Sequence, residues 1–164
     1  MKRVACAATG AALLAAGPAN ALEISRSRDI PAAPEAVWAL IGDFCAIQLW
    51  HPQVQRCILS GDDDDDGIRA QVRGLVMKGG KGTIVEVETA RDEASMSYSY
   101  SFIQGPLPVR AYNATLAVRP NGAGSTVIWS ASFDAEGKSD ADALAEITVI
   151  FDAGLAGIAR EVAR

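Results

Sequence analysis

The C-terminal segment Ser139–Arg164, with the sequence SDADALAEITVIFDAGLAGIAREVAR, gives the strongest indication of the fold. Its apolar residues recur at steps of three and four, so they share one stripe of a single helix that is wide enough to cover a sheet. Ser139 followed by Asp142 is typical of a capping box at a helix start. We therefore predict one long helix, whose apolar stripe is formed by Leu144, Ile147, Phe151, Leu155, Ile158 and Val162.

The part of the chain from 68 to 133 is a series of strands joined by short turns rich in Gly, Pro and Asn. Short links of this kind indicate an antiparallel meander. On the strand 96–103, Met, Tyr and Phe alternate with serines, which predicts a sheet with one apolar, aromatic face and one polar face. On the strand 83–89, we expect Val85 and Val87 on the apolar face and Glu86 and Glu88 in solvent. The predicted strands are 23–30, 55–59, 68–76, 83–89, 96–103, 109–118 and 126–133.

Two short helices are predicted after the first strand. Pro34 stands at a helix start, where its missing N–H costs nothing, and apolar residues follow at helical spacing to Phe44. A second helix, 46–50, stops before Pro52, because the residue that precedes a proline avoids the helical region. Since alternate turns of a meander lie at the same end of the sheet, the turns 78–82 and 105–108 are expected to lie together near the connection 136–140. These two loops would frame the entrance to any space between sheet and helix.

The N-terminus has the pattern of a secretory signal peptide. Lys2 and Arg3 precede an apolar run of small residues, and Ala19-Asn20-Ala21 forms an A-x-A end. A retained membrane anchor is the alternative, but the apolar run is too short to span a bilayer comfortably. We expect residues 1–21 to be removed and residues 22–164 to form a single domain that is periplasmic or secreted.

The chain is acidic, and it carries few cysteines. Its net charge is −5, which becomes −7 once Lys2 and Arg3 are lost. No basic stripe with interleaved aromatics is present, so neither nucleic acid nor an anionic membrane surface is an expected partner. Cys45 and Cys57 remain after processing, and two cysteines in an exported chain most often pair as a disulfide. Zinc is the competing hypothesis, and it would need more ligands than these cysteines and the single histidine, His51.

The run Asp62–Asp66 lies between two glycines and is predicted to be a solvated hairpin tip, because its like charges repel. Its five carboxylates supply the hard oxygen ligands that calcium prefers, which keeps calcium binding open as an alternative. Consecutive aspartates do not place alternate ligands as a calcium loop does, so we expect no metal. The sequence contains no dinucleotide or phosphate-binding fingerprint, and we expect no cofactor.

Three segments carry a resemblance to a known superfamily: Pro31–Phe44 (PAAPEAVWALIGDF), Trp50–Pro52 (WHP) and Gly105–Val109 (GPLPV). Together with the terminal helix, they resemble the START and birch-pollen-allergen superfamily, also called SRPBCC or polyketide cyclase/dehydrase and lipid transport. More narrowly, the chain is similar to exported bacterial members, some of which are associated with periplasmic methanol dehydrogenase. The resemblance implies an α+β helix-grip fold: a curved antiparallel sheet wrapped around a long C-terminal helix, with two short helices after the first strand and a cavity for hydrophobic molecules.

Candidate site residues follow from this cavity. An enzyme would need a general acid or base, and His51, which titrates near neutrality, is the candidate; the alternative is that it hydrogen-bonds the short helix beside it. An inward Arg110 would have to be paired or to face a ligand anion. Gly154 lacks a Cβ, so a bound molecule or another backbone could approach the helix closely there. The predicted ligand-binding residues are Trp50, His51, Tyr98, Tyr100, Arg110, Tyr112, Trp129, Phe151, Gly154 and Leu155.

We interpret the chain as an exported binding protein or carrier for a small hydrophobic molecule. A pocket that is largely apolar with a few polar contacts suits binding better than catalysis. Two alternatives stay open. One is a cyclase- or dehydratase-like enzyme that acts on an aromatic or polyketide-like substrate. The other is an accessory protein that docks on a periplasmic redox enzyme.

Overall fold

The computed structural model describes residues 21–61 and 71–164. The predicted signal peptide, apart from Ala21, and the run Asp62–Asp66 lie outside the described residues. A 3-10 turn, Lys78–Gly80, connects the third and fourth strands. The elements are β1 (Leu22–Ile30), α1 (Pro34–Ile41), α2 (Ile47–Trp50), β2 (Val54–Gly61), β3 (Gln71–Met77), β4 (Thr83–Asp92), β5 (Ser97–Gln104), β6 (Val109–Asn121), β7 (Gly124–Ala135) and α3 (Asp140–Val162).

The seven strands form one antiparallel sheet in the order β1-β7-β6-β5-β4-β3-β2. Strands β2 to β7 follow one another as a meander, and β1 pairs with β7 along its whole length, from Leu22 opposite Phe133 to Ile30 opposite Ser125. Helix α3 packs against β1 and β7 and also contacts α1 and α2. This arrangement confirms the predicted α+β helix-grip fold, in which the sheet curves around the C-terminal helix.

Helix α3 begins and buries its residues as its periodicity predicts. Ser139 Oγ accepts a hydrogen bond from the Asp142 N–H at 3.2 Å, which satisfies one of the free N–H groups of the first turn. The predicted stripe residues Leu144 and Val162 are half-buried. The fully buried residues of the helix are Ala143, Ile147, Phe151, Gly154, Leu155, Gly157 and Ile158.

Helix α1 ends at Ile41, earlier than the predicted boundary at Phe44. The cause is Asp43, whose Oδ1 accepts a hydrogen bond from the Cys45 N–H at 2.8 Å. An aspartate that bonds the backbone two residues further on stabilises a turn and competes with the helix. Phe44 is buried all the same, with its ring against those of two tyrosines, Tyr98 and Tyr100.

The structure joins Cys45 and Cys57 by a disulfide, with their Cα atoms 5.5 Å apart. This bond ties the turn before α2 to the edge strand β2. Helix α2 also packs against α3, so the disulfide holds a short helix whose own hydrogen bonds would not keep it folded. Across the described residues, no helix is both long and apolar enough to cross a membrane.

The predicted orientation of β4 is wrong. The Glu86 side chain is turned inward, and the residue is only 5% exposed. The cause is Arg73, which lies directly opposite Glu86 in the β3–β4 pair and is fully buried. A carboxylate enters an apolar interior only with a charge partner, and here the partner is on the neighbouring strand. Glu88 is also largely covered, because it forms an ion pair with Arg91. Val85 and Val87, which the sequence predicts to face inward, are only half-buried.

The predicted inward position of Arg110 is also wrong. Ala111 has a φ of +50°, and the β6–β7 register shifts between Arg110 and Asn113. This β-bulge breaks the alternation of the strand, so that Val109 and Tyr112 are both buried. The Arg110 side chain is 58% exposed and forms an ion pair with Asp134 at 2.7 Å.

Candidate functional site

An internal cavity lies between the inner face of the sheet and α3. Its volume is about 40 Å³. Since one water molecule occupies about 30 Å³ of the liquid, the cavity accommodates about one water. Its wall is mostly apolar and aromatic and contains one ion pair. The lining residues are Ile47, His51, Val54, Arg73, Leu75, Met77, Ile84, Glu86, Tyr100, Leu107, Tyr112, Trp129, Ile147, Ile150 and Phe151.

A second space, which we call the portal cleft, lies outside this cavity and opens to solvent. Its volume is about 520 Å³, and Gln53, Lys81, Pro106, Glu146 and Val149 line its outer part. The portal cleft and the cavity share four lining side chains, which separate the two spaces and which we call the partition. The partition residues are Met77, Ile84, Leu107 and Ile150.

The portal cleft lies at the end of the sheet that the turn parity predicts. A Cβ on Gly82 would stand 3.4 Å from Pro106 Cγ, so the loops 78–82 and 105–108 are in contact. The Glu136 N–H donates to the Pro108 carbonyl oxygen at 2.9 Å, which brings the connection to α3 to the same place. The predicted meeting of these three segments is therefore confirmed.

Arg73 is the cation of the cavity wall. Its Nε donates to Glu86 Oε2 at 2.7 Å, and its Nη1 donates to the Phe44 carbonyl oxygen at 2.5 Å. The guanidinium carbon lies 4.0 Å from the centroid of the Phe44 ring and 4.8 Å from that of Tyr100, so the cation lies against two aromatic faces. Burial is the largest single influence on the pKa of Arg73 and lowers it, but the charge and hydrogen bond of Glu86 together with the charges of Tyr98 and Tyr100 outweigh burial and raise the pKa. Arg73 therefore stays charged.

Tyr100 and Tyr112 add two hydroxyl groups to the wall. Trp129 Nε1 donates to the Tyr100 hydroxyl at 2.9 Å, and a hydrogen bond from Tyr100 to Tyr112 leaves the proton of Tyr112 for another acceptor. Burial raises the pKa of both tyrosines, and the nearby charge of Glu86 raises it further, so both phenols stay protonated. Next to them, Trp129 stacks on Phe151, with ring centroids 4.3 Å apart.

His51 is buried at the end of α2, and the backbone occupies both of its ring nitrogens. Nε2 lies 3.1 Å from the Ile150 carbonyl oxygen, and Nδ1 accepts from the Gln53 N–H at 3.3 Å. This pattern assigns the proton of the neutral ring to Nε2. Burial lowers the pKa of His51 to about 4. His51 therefore links α2 to α3 by hydrogen bonds. This is the structural role, the alternative to a general acid or base.

Half of the predicted ligand-binding residues line the cavity: His51, Tyr100, Tyr112, Trp129 and Phe151. The other half does not. Arg110 is on the outer surface, while Trp50, Tyr98 and Leu155 are packed in the core around the cavity. Gly154 is covered by protein, since a Cβ there would stand 2.6 Å from Trp129 Cζ3 and 2.8 Å from His51 Cδ2. The side chains of Trp129 and His51, and not a ligand, make the close approach that Gly154 permits.

Arg73 and Glu86 are the functional candidates that the sequence analysis missed. A signal for them was available. In a hairpin whose turn is 78–82, pairing of Val76 with Thr83 also places Arg73 opposite Glu86. Two opposite charges at facing positions, on the same side as Leu75, indicate a pair that is buried together. The sequence places Leu107 in the loop 105–108, but its pattern does not predict that its side chain lines the cavity.

The fold and the cavity together define a helix-grip protein with a ligand-binding role. The chain belongs to the polyketide cyclase / dehydrase and lipid transport family, which matches residues 21–163. Strand β1, the segment Pro31–Phe44, the meander and α3 all lie within the matched range. The predicted family resemblance is confirmed.

Solved structures of similar sequence share this fold. XoxI from Bacillus cereus is 29% identical, with a TM-score of 0.76 over 85% of this chain and 94% of its own. An uncharacterized protein from Bacillus thuringiensis is 28% identical, with a TM-score of 0.78 over 87% and 100%. A protein from Thermobifida fusca is 32% identical, with a TM-score of 0.70 over 85% and 92%. No curated protein sequence gives a significant match.

Proposed function

We propose that the protein is an exported binding protein or carrier for a small hydrophobic molecule, which is held between the sheet and α3 and enters through the portal cleft. The observation that carries this proposal is the partition. Four apolar side chains separate a buried, mostly apolar cavity from a cleft that opens to solvent.

The volumes require the partition to move. A cavity of about 40 Å³ is too small for an organic ligand, whereas the portal cleft, at about 520 Å³, is within the range of small-molecule pockets. Leu107 is half-buried in the loop between β5 and β6. Its side chain and that of Ile150 can change rotamer without breaking a strand pair, and this change would join the two spaces.

Apolar contact supplies the binding energy in this scheme. An apolar molecule that buries about 200 Å² gains about 5 kcal/mol on transfer from water. The movement of the partition and the loss of freedom of the ligand reduce that gain, so we expect micromolar to millimolar affinity for an unspecialised probe.

An uncharged fluorescent probe, N-phenyl-1-naphthylamine, tests the proposal. The folded wild type should enhance the emission of the probe. Ile84→Phe should abolish the enhancement, because Ile84 borders both the cavity and the portal cleft. Val85→Phe is the matched control, since Val85 is the next residue on β4 and does not line either space. Enhancement that is absent in the wild type, or that survives Ile84→Phe in a folded variant, would contradict a cavity carrier.

Export is the second part of the proposal. The signal-like N-terminus supports it, and so does the disulfide between Cys45 and Cys57, because such bonds persist in oxidising compartments. The mature protein recovered from the periplasm or medium should begin at Leu22 and contain no free thiol under denaturing, non-reducing conditions. Two free thiols would contradict the disulfide, and a retained N-terminus would favour the membrane anchor over a cleaved signal peptide.

A cyclase- or dehydratase-like activity is the second candidate, and one observation favours it: Glu86 and the Tyr112 hydroxyl lie in the wall of the same cavity. They would serve as the polar groups of such an enzyme in place of His51, whose nitrogens are bonded to the backbone. Recovery of a chemically altered compound after incubation, lost in Glu86→Gln, would move this candidate to first place. Docking on a periplasmic enzyme would be supported by co-purification of that enzyme from the periplasm of the host.

A further inference from the structure

We propose that the ligand of the cavity is an uncharged molecule with a carbonyl oxygen at its leading end, and that Arg73 binds this oxygen. The proposal rests on the carrier function above and adds the chemical class of the ligand. The polar groups of the cavity wall, their unused hydrogen-bonding capacity and their charge balance carry it.

Arg73 has one donor group, Nη2, that the protein satisfies only in part. Its Nε and Nη1 donate to Glu86 and to the Phe44 carbonyl oxygen. Its Nη2 lies 2.7 Å from Glu86 Oε2, but it has no acceptor in hydrogen-bonding geometry among the described residues. Arg73 is fully buried and lines the cavity. A buried donor whose nearest acceptor is poorly aligned is only partly satisfied, so a ligand atom that accepts from it is bound more tightly than one that does not.

The guanidinium is held in place before any ligand arrives. Its contacts with the rings of Phe44 and Tyr100, together with its two hydrogen bonds, leave the side chain little freedom. A rigid donor loses little conformational entropy when it binds an acceptor. This arrangement suits recognition of a small, directional group better than contact with a flexible polar chain.

The other polar groups favour an acceptor too. Tyr100 accepts from Trp129 and is hydrogen-bonded to Tyr112, so the proton of this tyrosine pair that can be donated to a ligand is the one on Tyr112. A carbonyl oxygen has two lone pairs and no proton, and it can accept from Arg73 and from the Tyr112 hydroxyl at once.

The charge balance excludes an anion. Glu86 already neutralises Arg73, and its carboxylate lines the same cavity. A ligand carboxylate would bring a second negative charge next to Glu86 in a region with little water, where like charges repel strongly. The ligand is therefore neutral at this end, and its apolar body extends past Leu107 and Ile150 into the portal cleft.

Three probes of matched shape test the inference on the mature wild-type protein by isothermal titration calorimetry. 2-Acetylnaphthalene carries the carbonyl, 2-isopropenylnaphthalene replaces its oxygen with a CH₂ group, and 2-naphthoate replaces its methyl group with a charged oxygen. We expect the ketone to bind at least about tenfold more tightly than either of the others, because a hydrogen bond from a charged donor is worth about that much.

A double variant assigns the preference to Arg73. Arg73→Met/Glu86→Leu replaces the whole ion pair with apolar residues of similar size, which proteins often tolerate. It should bind the alkene at least as well as the wild type does and lose the preference for the ketone. Arg110→Met/Asp134→Leu is the matched control, since it removes a cross-strand ion pair that lies outside the cavity. The control should keep the preference.

The results distinguish a failure of carbonyl recognition by Arg73 from a failure of the carrier function. Equal affinity of the wild type for ketone and alkene would overturn the inference and leave the hydrophobic carrier in place, as would tighter binding of 2-naphthoate. Binding of none of the three probes would overturn both proposals. If the double variant does not fold, the Arg73 Nε–Hε resonance of the ¹⁵N-labelled wild type replaces it. That resonance should shift with the ketone and not with the alkene, and an equal response to both would overturn the inference.

Discussion

At the scale of single residues, Arg73 and Glu86 are stable inside the protein only as a pair. Each lies opposite the other on neighbouring strands, and each is almost completely buried. Removal of one partner leaves a charge in an apolar surrounding, whereas removal of both leaves none. The pair therefore affects stability in a strongly non-additive way.

We predict that Arg73→Met alone lowers the free energy of unfolding by about 3–5 kcal/mol, because it leaves the Glu86 carboxylate unpaired. Arg73→Met/Glu86→Leu should lie within about 1.5 kcal/mol of the wild type. Urea unfolding at pH 7, followed by tryptophan fluorescence, measures both. Equal losses in the single and double variants would show that the pair contributes packing alone.

His51 makes a separate contribution that depends on pH. Its pKa is about 4 in the folded protein, chiefly because of burial and further because of the charges of Arg73 and Lys78, against about 6.5 in the unfolded chain. The unfolded chain therefore takes up the proton first as pH falls. The stability that neutral His51 contributes is complete above about pH 6.5 and is lost between there and about pH 4.

We predict that, from pH 7 to pH 5, the free energy of unfolding of the wild type falls by about 2 kcal/mol more than that of His51→Gln. Urea titrations of both proteins at pH 7, 6 and 5 measure the difference. Because the carboxylates titrate in both proteins, their contribution cancels when the two unfolding free energies are subtracted. Parallel profiles would mean that His51 is accessible to protons in the folded state.

At the scale of elements, α3 is attached to α2 by glycines rather than by a matching of large side chains. A Cβ on Gly157 would stand 1.8 Å from the Trp50 carbonyl oxygen, and a Cβ on Gly154 would meet the Trp129 ring. The backbone of α2 therefore lies directly on the helix, with His51 bonded to Ile150 beside it. This contact fixes the distance between α2 and α3 next to the cavity.

We predict that Gly157→Ala lowers the free energy of unfolding by about 3 kcal/mol, because the new methyl group forces α2 away from α3. In an unobstructed helix the same change would stabilise the protein by about 0.5–1 kcal/mol, so the sign alone is informative. Ala145→Gly, at an exposed position of the same helix, is the control and should cost only about 1 kcal/mol. Thermal and urea unfolding measure both. A stabilised Gly157→Ala would contradict the close α2–α3 contact.

At the scale of the whole molecule, the partition lies between the small cavity and the open portal cleft, so we expect access to depend on it. The loops 78–82 and 105–108 meet there, and α3 contributes Ile150. Binding should then be limited by how often the partition side chains move apart. Such gating affects the rate of association more directly than it affects the final affinity.

We predict that Leu107→Ala accelerates the association of N-phenyl-1-naphthylamine by about tenfold, because the loss of buried methyl and methylene groups lowers the cost of opening. Stopped-flow fluorescence measures the rate. Leu59→Ala, which removes the same atoms from an exposed position on β2, should leave the rate unchanged. An unchanged rate in Leu107→Ala would place the route of access elsewhere.

The elements that repeat a local pattern can be predicted from the amino-acid sequence. The stripe from Leu144 to Val162 predicts α3, the Tyr and Ser alternation predicts the faces of β5, and the order of the turns predicts which loops meet at the portal cleft. These features depend on neighbours within a few residues and on the parity of a meander. Together with the resemblance to the superfamily, they predict the helix-grip fold.

Which side chains enter the cavity depends on contacts between elements that are distant along the chain. Glu86 points inward because Arg73 lies opposite it, and Arg110 points outward because the bulge at Ala111 shifts the alternation of β6. Gly154 is covered because Trp129 and His51 come to it from distant parts of the chain. The physical reason is common to all three. A side chain is buried where its charge and volume are matched by partners on other elements, and that match is formed only when the sheet closes on the helix.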